Sequence, residues 1–222
     1  MPYRGKRVLD IAIAVPLLVL TLPVQTFAAL GVRMTLGRPV LFEQERPGLD
    51  GKPFIMRKFR TMRPTDPSRG WVDDASRLTR LGSFLRSTSI DELPTIWNII
   101  NGDMSLVGPR PLLMRYLERY TPEQARRMDV PPGLTGLAQV SGRNAQSWDE
   151  RFAFDVAYVD TCSLGLDLKI LVRTAWTVLR RDGVSAEGEA TMSEFRGGAT
   201  SPTPREATPH YVQGQVDIGW KP

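Results

Sequence analysis

Hydrophobic positions along the chain change their period twice. Residues 11–32 form an uncharged, mostly aliphatic run of 22 residues, about 33 Å as an ideal helix and so long enough to reach across a bilayer. Alternation follows at 40–45 and 54–59. These are two short expected strands, joined through Pro47-Gly48-Leu49-Asp50-Gly51, in which Asp-Gly is a strong hairpin signal. A proline-rich polar stretch then gives way to helical spacing. Leu78, Leu81 and Leu85 share one face of an expected helix over 75–85. Ser89 reads as the N-cap of the next, with Glu92 at the capping-box position and Ile96, Trp97, Ile99 and Ile100 on the buried side.

Thr121-Pro122-Glu123-Gln124 and Ser147-Trp148-Asp149-Glu150 open helices in the same way. The last helix is expected over 166–181, closed by Gly183. There Leu168, Ile170, Leu171, Val172 and Trp176 are interleaved with Lys169, Arg173, Arg180 and Arg181, a composition that suits an interfacial helix as well as a core helix with a basic edge. Beyond Gly188 the residues turn to Gly, Pro, Ser and Thr with isolated charges, and 197–222 is expected to be a flexible tail. The fold class is α+β, mainly helical, with a small β-hairpin. The expected domains are a membrane-anchoring segment over 1–36, a catalytic domain over 37–196, and the tail.

The apolar run is not a simple span. Pro16 and Pro23 interrupt it, and an interior proline removes a backbone hydrogen bond and bends a helix. Basic residues flank both ends, Arg4, Lys6 and Arg7 before and Arg33 and Arg38 after, so the positive-inside bias favours neither orientation. A bend near Pro23 with both ends on the cytoplasmic side describes a re-entrant helical hairpin dipping into one leaflet. A straight span remains the alternative. A cleaved signal peptide fits poorly, because Phe27-Ala28-Ala29 is a weak cleavage motif and the run is long for a signal.

Composition narrows the chemistry. The 222 residues suffice for one sizeable core. The single cysteine, Cys162, forms no internal disulfide, and with His210 the only histidine there is no cluster to hold zinc. Any metal should be a hard, oxygen-bound ion. The net charge of +5 is concentrated early: residues 1–63 hold eleven basic and four acidic side chains, a net +7. The apolar segment embedded there favours anionic membrane lipids over nucleic acid, for which no recognised module is present.

Few side chains remain for covalent chemistry, and the adjacent carboxylates of Asp91 and Glu92 stand out. At a helix start they would lie in the positive end of the macrodipole, where a phosphoryl group also binds. Two anions there require a cation, either Mg²⁺ (or Mn²⁺) or nearby arginines. The plain alternative is that Glu92 completes a capping box and Asp91 is an ordinary first-turn acid. Arg86 lies one to two turns earlier. Pro109-Arg110-Pro111 follows, two prolines presenting one guanidinium rigidly. Then come Pro132-Gly133-Leu134-Thr135-Gly136 and Ser141-Gly142-Arg143-Asn144, loops of a kind that suit phosphate.

Taken in order, these segments resemble the small monotopic phosphoglycosyl transferases of bacterial membranes. The resemblance rests on Lys6-Arg7 and Asp10, Pro47-Gly48, Lys58-Phe59-Arg60-Thr61-Met62, Asp91-Glu92-Leu93-Pro94, and the stretch from Asn98 to Pro111. It continues through Gly133, Gly142-Arg143-Asn144, Leu166-Asp167-Leu168-Lys169 and Gly183-Val184-Ser185, covering roughly residues 4–197. It is that of the minimal form, with no further N-terminal transmembrane domain expected. One departure is visible: where the family often places Ser-Pro at the bend, Leu22 precedes Pro23 here, leaving Thr21 or Gln25 to meet the freed carbonyl.

The resemblance implies transfer of a phosphosugar from a UDP-sugar to polyprenol phosphate (undecaprenyl phosphate) at the cytoplasmic face of the bacterial inner membrane. UMP is released, and the product is one that downstream glycosyltransferases extend. It implies Asp91 as the nucleophile of a covalent phosphosugar-aspartate and Glu92 as its partner in binding Mg²⁺ or handling a proton. Arg86 and Arg143 would be phosphate contacts, and Pro109, Arg110 and Pro111 the nucleotide-side loop, with Lys58 and Arg60 as further substrate-binding residues. The competing class is a basic membrane-associated adaptor without catalysis.

Overall fold

The computed structural model describes residues 2–141, 147–180, 194–197, 211–212 and 215–216. Its longest element, α1 (Lys6–Leu36), is one helix of 31 residues carrying Pro16 and Pro23 inside it. It is also the one helix among the described residues long and apolar enough to cross a membrane. Lys6, Asp10, Ala14, Leu18, Gln25, Ala28 and Val32 are its buried positions. The other faces leave Val8, Val19, Leu20, Phe27 and Met34 mostly exposed. Pro23 deprives the Val19 carbonyl of its usual partner. The substitutes expected from the sequence do not take that place: Thr21 Oγ1 donates to Leu17 O at 2.7 Å, and Gln25 Nε2 donates to Thr21 Oγ1 at 3.0 Å.

Both ends of α1 are fastened to the same globular body. At the N-terminal end Lys6 Nζ donates to Asp167 Oδ2 (2.6 Å) and Tyr158 Oη (3.0 Å), while Asp10 Oδ1 accepts from Ser105 Oγ and Leu106 N, each at 2.9 Å. Arg7 donates to the carbonyls of Ile99 and Ile100, at a helix C-terminus where unpaired acceptors and the negative end of the dipole favour a cation. At the other end Ala28 and Val32 pack with Phe59 and Leu85, and Arg60 donates to the Leu36 and Arg38 carbonyls.

The hairpin is present. Strands β1 (Leu41–Pro47) and β2 (Pro53–Phe59) pair antiparallel, Leu41 opposite Phe59 and Pro47 opposite Pro53. Asp50 and Gly51 both take positive φ at the turn, 55° and 72°, the conformation for which Asp-Gly is suited. The helix expected over 75–85 is two pieces, α2 (Asp74–Arg77) and α3 (Arg80–Ser87). Leu78 leaves helical geometry to bridge Met62, and Thr79 restarts the helix by accepting from Gly82 N at 2.9 Å. A tertiary pairing has overridden the local period.

After a 3₁₀ stretch over Ile90–Thr95 come α4 (Ile96–Asn101) and β3 (Ser105–Val107). A second 3₁₀ turn (Met114–Arg119), α5 (Pro122–Ala125) and the turn Arg126–Met128 lead to β4 (Gly133–Thr135), then α6 (Leu137–Ser141), α7 (Trp148–Thr161) and α8 (Leu164–Arg180). Both expected capping boxes, at Thr121 and Ser147, are formed. Strands β3 and β4 are parallel, Ser105 opposite Gly133 and Val107 opposite Thr135. A Cβ on Gly133 would fall 2.1 Å from Gly108 N, and one on Gly136 2.2 Å from Gly108 O. These glycines therefore allow two backbones to touch, which locks the loop after β3 in place.

The main core lies where α1, α4, β3 and α6–α8 meet, with Ile96, Ile99, Val107, Leu137, Tyr158 and Ile170 almost fully buried. On α8, Leu164, Leu168, Val172 and Trp176 stay exposed at four-residue spacing. Phe195, at the end of the expected catalytic domain, is buried against Tyr116 and Phe152, and in the expected tail Tyr211–Val212 pairs with Gln215–Val216.

Candidate active site

The Asp91–Glu92 pair does not cap a helix in the way the sequence suggests. Ser89 sits at φ 57°, ψ 14°, in the left-handed region, and its side chain makes no capping bond. The capping box is absent. A non-glycine residue at positive φ is uncommon and strained, and such strain gathers at functional sites. Its consequence here is geometric: the 3₁₀ turn replaces an α-helical first turn and frees the Glu92 carboxylate for other partners.

Those partners come from the hairpin and the loop after β3. Lys58 Nζ and an Arg110 terminal nitrogen each donate to Glu92 Oε1 at 2.5 Å, and the other terminal nitrogen of Arg110 lies 3.4 Å from Oε2. Lys58 is brought there because the open edge of β2 is hydrogen-bonded by side chains. Thr95 Oγ1 donates to Arg57 O at 2.9 Å, Asn98 Nδ2 donates to Ile55 O at 2.7 Å, and Asn98 Oδ1 accepts from Arg57 N at 3.3 Å. Thr95 and Asn98 thus dock the strand onto the helix that bears the acids. The sequence reading missed this; the signal was two polar residues, Thr95 at the end of the 3₁₀ stretch and Asn98 in α4, among the apolar Ile96 and Ile99.

The two carboxylates are pushed in opposite directions. Burial would raise the Glu92 carboxyl, but Arg110 and Lys58 outweigh it and hold the group well below the usual carboxylate range. Asp91, 8% exposed, is pushed up to about 6 by burial and then by the charge of Glu92, against the pull of Lys58, Arg86 and Arg110. Among the described residues no hydrogen bond engages its carboxylate. Neighbouring carboxyl groups driven apart in this way mark a functional pair. Glu92 is a fixed anion that gathers two cations. Asp91 is a desolvated, weakly solvated carboxylate whose lone pairs are available to an electrophile.

Arg86 reaches the same neighbourhood from α3, its Nε donating to Thr61 Oγ1 at 3.1 Å. Arg60, expected to bind substrate, is instead committed to the Leu36 and Arg38 carbonyls at the end of α1. Pro109 and Pro111 flank Arg110 as expected, and Gly133 N donates to Pro109 O at 3.0 Å. Arg143 lies outside the described residues.

Among the described residues no group of three or more Asp, Glu, His or Cys converges on the site, and Glu92 is already neutralised by two cations. A hard ion such as Mg²⁺ would have Asp91 as its one available carboxylate here, with substrate phosphates and water completing its shell.

A buried carboxylate with the charges of Lys58, Arg86 and Arg110 close by is an arrangement suited to a phosphate-bearing substrate. Comparison with known proteins agrees. The family model for bacterial sugar transferases matches residues 1–181. The chain is 50% identical over 193 residues to the sugar transferase EpsL of Bacillus subtilis (86% of this chain, 96% of that one). It is 44% identical over 188 residues to the UDP-glucose:undecaprenyl-phosphate glucose-1-phosphate transferase of Caulobacter vibrioides (80% and 70%). With the undecaprenyl-phosphate galactose phosphotransferase of Salmonella typhimurium it shares 39% identity over 196 residues, 80% of this chain but 41% of that longer one. The chain belongs to the bacterial sugar transferase family.

Proposed function

We propose that this protein transfers a sugar phosphate from a UDP-sugar to undecaprenyl phosphate. The observation that carries the reading is the split state of the carboxylate pair: Asp91 buried and raised to about 6, Glu92 held ionised by Lys58 and Arg110. Glucose and galactose appear in the names of the relatives, and these two donors head the panel to be tested.

In the first half-reaction an Asp91 oxygen attacks the sugar-bearing phosphorus. The bond from that phosphorus to the bridging oxygen breaks, and UMP leaves with the electron pair. In the second, an oxygen of undecaprenyl phosphate attacks the same phosphorus and displaces the Asp91 carboxylate, giving the undecaprenyl diphosphate sugar. One pocket thereby serves a soluble donor and a lipid acceptor in turn. Glu92 holds Lys58 and Arg110 in position beside the phosphates, and Arg86 adds a third cation. Mg²⁺ held by Asp91 and the donor diphosphate would supply charge neutralisation.

The membrane reading places both ends of α1 on the cytoplasmic side, with the middle of the helix in one leaflet. It is supported by the fastening of Lys6, Asp10, Ala28 and Val32 to one globular body. A straight crossing would draw that body through a hydrocarbon layer about 30 Å thick. The exposed apolar ridge of α8, with Lys169 and Arg173 beside it, suits an interfacial position. Release of UMP from radiolabelled UDP-sugars in the presence of undecaprenyl phosphate tests the function directly. No release from any donor would reject it.

A further inference from the structure

Arg127, in the turn after α5, is 3% exposed and divides its guanidinium among three partners. Its Nε and one terminal nitrogen donate to Asp155 Oδ2 on α7 at 3.0 and 2.7 Å. The same terminal nitrogen donates to the main-chain carbonyl of Arg110 at 2.7 Å, and the other to Tyr120 Oη at 3.3 Å. The rings of Tyr120 and Phe152 lie 5.8 and 5.7 Å from the guanidinium carbon. Phe195 packs against both rings, with centroids 6.0 Å from Tyr120 and 5.0 Å from Phe152.

A buried ion pair in apolar surroundings adds little stability over apolar side chains of similar shape. Its value lies in what it touches. Pro111 restricts Arg110 to extended backbone and neither neighbouring proline offers an N–H, so the Arg110 carbonyl has to find its donor elsewhere in the molecule. Arg127 supplies that donor. The chain of contacts runs from Asp155 through Arg127 to the Arg110 carbonyl, and from the Arg110 guanidinium to Glu92.

We infer that Arg127, held in its rotamer by Asp155, is a positioning residue: by fixing the Arg110 peptide it sets the angle at which the Arg110 guanidinium meets Glu92 beside Asp91. For its effect on turnover the inference rests on the transferase reading above. It also has a consequence independent of turnover. The Arg110 guanidinium donates to Glu92, so releasing the Arg110 peptide loosens that contact and lets the guanidinium reorient.

The test uses the full chain in lipid nanodiscs. Two variants are compared with the parent: the double variant Arg127→Met, Asp155→Leu, which replaces the pair by apolar residues of similar size, and Asp155→Asn, which leaves Arg127 an amide oxygen in place of its counter-charge. Tm, kcat for UMP release, and the Arg110 guanidinium ¹H–¹⁵N signals by NMR are measured, those signals being assigned by their loss in Arg110→Lys. The double variant is expected to keep a Tm near that of the parent while kcat falls by about tenfold or more and the Arg110 signals lose the shift that their bond to Glu92 gives them. Asp155→Asn should change both in the same direction by less. Parent-like kcat and Arg110 signals in the double variant overturn the inference. Should that variant not fold, unchanged Arg110 signals in Asp155→Asn do so. If the parent releases no UMP from any donor, the transferase reading fails by itself, and the Arg110 signals alone decide whether Arg127 positions Arg110.

Discussion

Asp91 is costly to keep ionised, and that cost is measurable apart from catalysis. Its folded pKa, about 6, lies above the ordinary 3.8. The stability it contributes is therefore complete below the unfolded value and is lost as pH rises through the folded one. Asp91→Asn cannot ionise, so its Tm should gain on the parent between pH 4 and pH 7.5 while its turnover is abolished. A parallel Tm at both pH values would show that the burial is not felt. The same titration sets the acid limb of kcat/KM, which should bend near pH 6, since only the carboxylate attacks phosphorus. Glu92→Gln removes the like charge beside Asp91 and leaves Lys58 and Arg110 without their anion. The acid limb should then move to lower pH, with kcat reduced by about tenfold or more. An acid limb fixed at the parent position would show that Glu92 does not act on Asp91.

Among the elements, α1 makes the most exposed prediction. With both ends on one face, cysteines introduced at Pro2 and at Ser68 should both resist a membrane-impermeant maleimide in intact cells and react after permeabilisation. Labelling of the Pro2 site alone would establish a straight span. Asp167→Asn should destabilise the protein by about 3–5 kcal/mol, because the buried Lys6 ammonium then lacks its counter-charge. Chemical denaturation in detergent reads this out, and a change within experimental error would mean water reaches Lys6. Elements whose signals are local were legible in the sequence: the Asp50-Gly51 turn, the capping boxes at Thr121 and Ser147, and the apolar run. Signals that tertiary contacts override were misread. Leu78 has helical spacing, yet it pairs with Met62. Ser89 and Glu92 have capping spacing, but Lys58 and Arg110 compete successfully for Glu92. Likewise the acids were identifiable as a candidate site, whereas Thr95, Asn98 and Arg127 act through main-chain groups far away in sequence, which no residue spacing reveals.

For the whole molecule, the proposed reaction brings a donor from water and an acceptor from lipid to one carboxylate. Kinetics should accordingly be ping-pong, with a stoichiometric burst of UMP from UDP-sugar before any undecaprenyl phosphate is added. Rapid-quench measurement without a burst would favour direct displacement in a ternary complex. Turnover should also stop with EDTA and return with Mg²⁺ or Mn²⁺ if the diphosphate needs a divalent partner; full activity in chelator would show that Lys58, Arg86 and Arg110 suffice. The fastening of Lys6 to Asp167 carries a further consequence, for biosynthesis. The two residues are 161 positions apart, so the segment that carries Lys6 leaves the ribosome long before its partner does. Throughout that interval Lys6 has to stay hydrated at the bilayer surface while the apolar helix behind it seeks lipid. Nascent chains halted before Asp167 should therefore sit on the membrane with the start of α1 open to protease, and chains extended past α8 should close it.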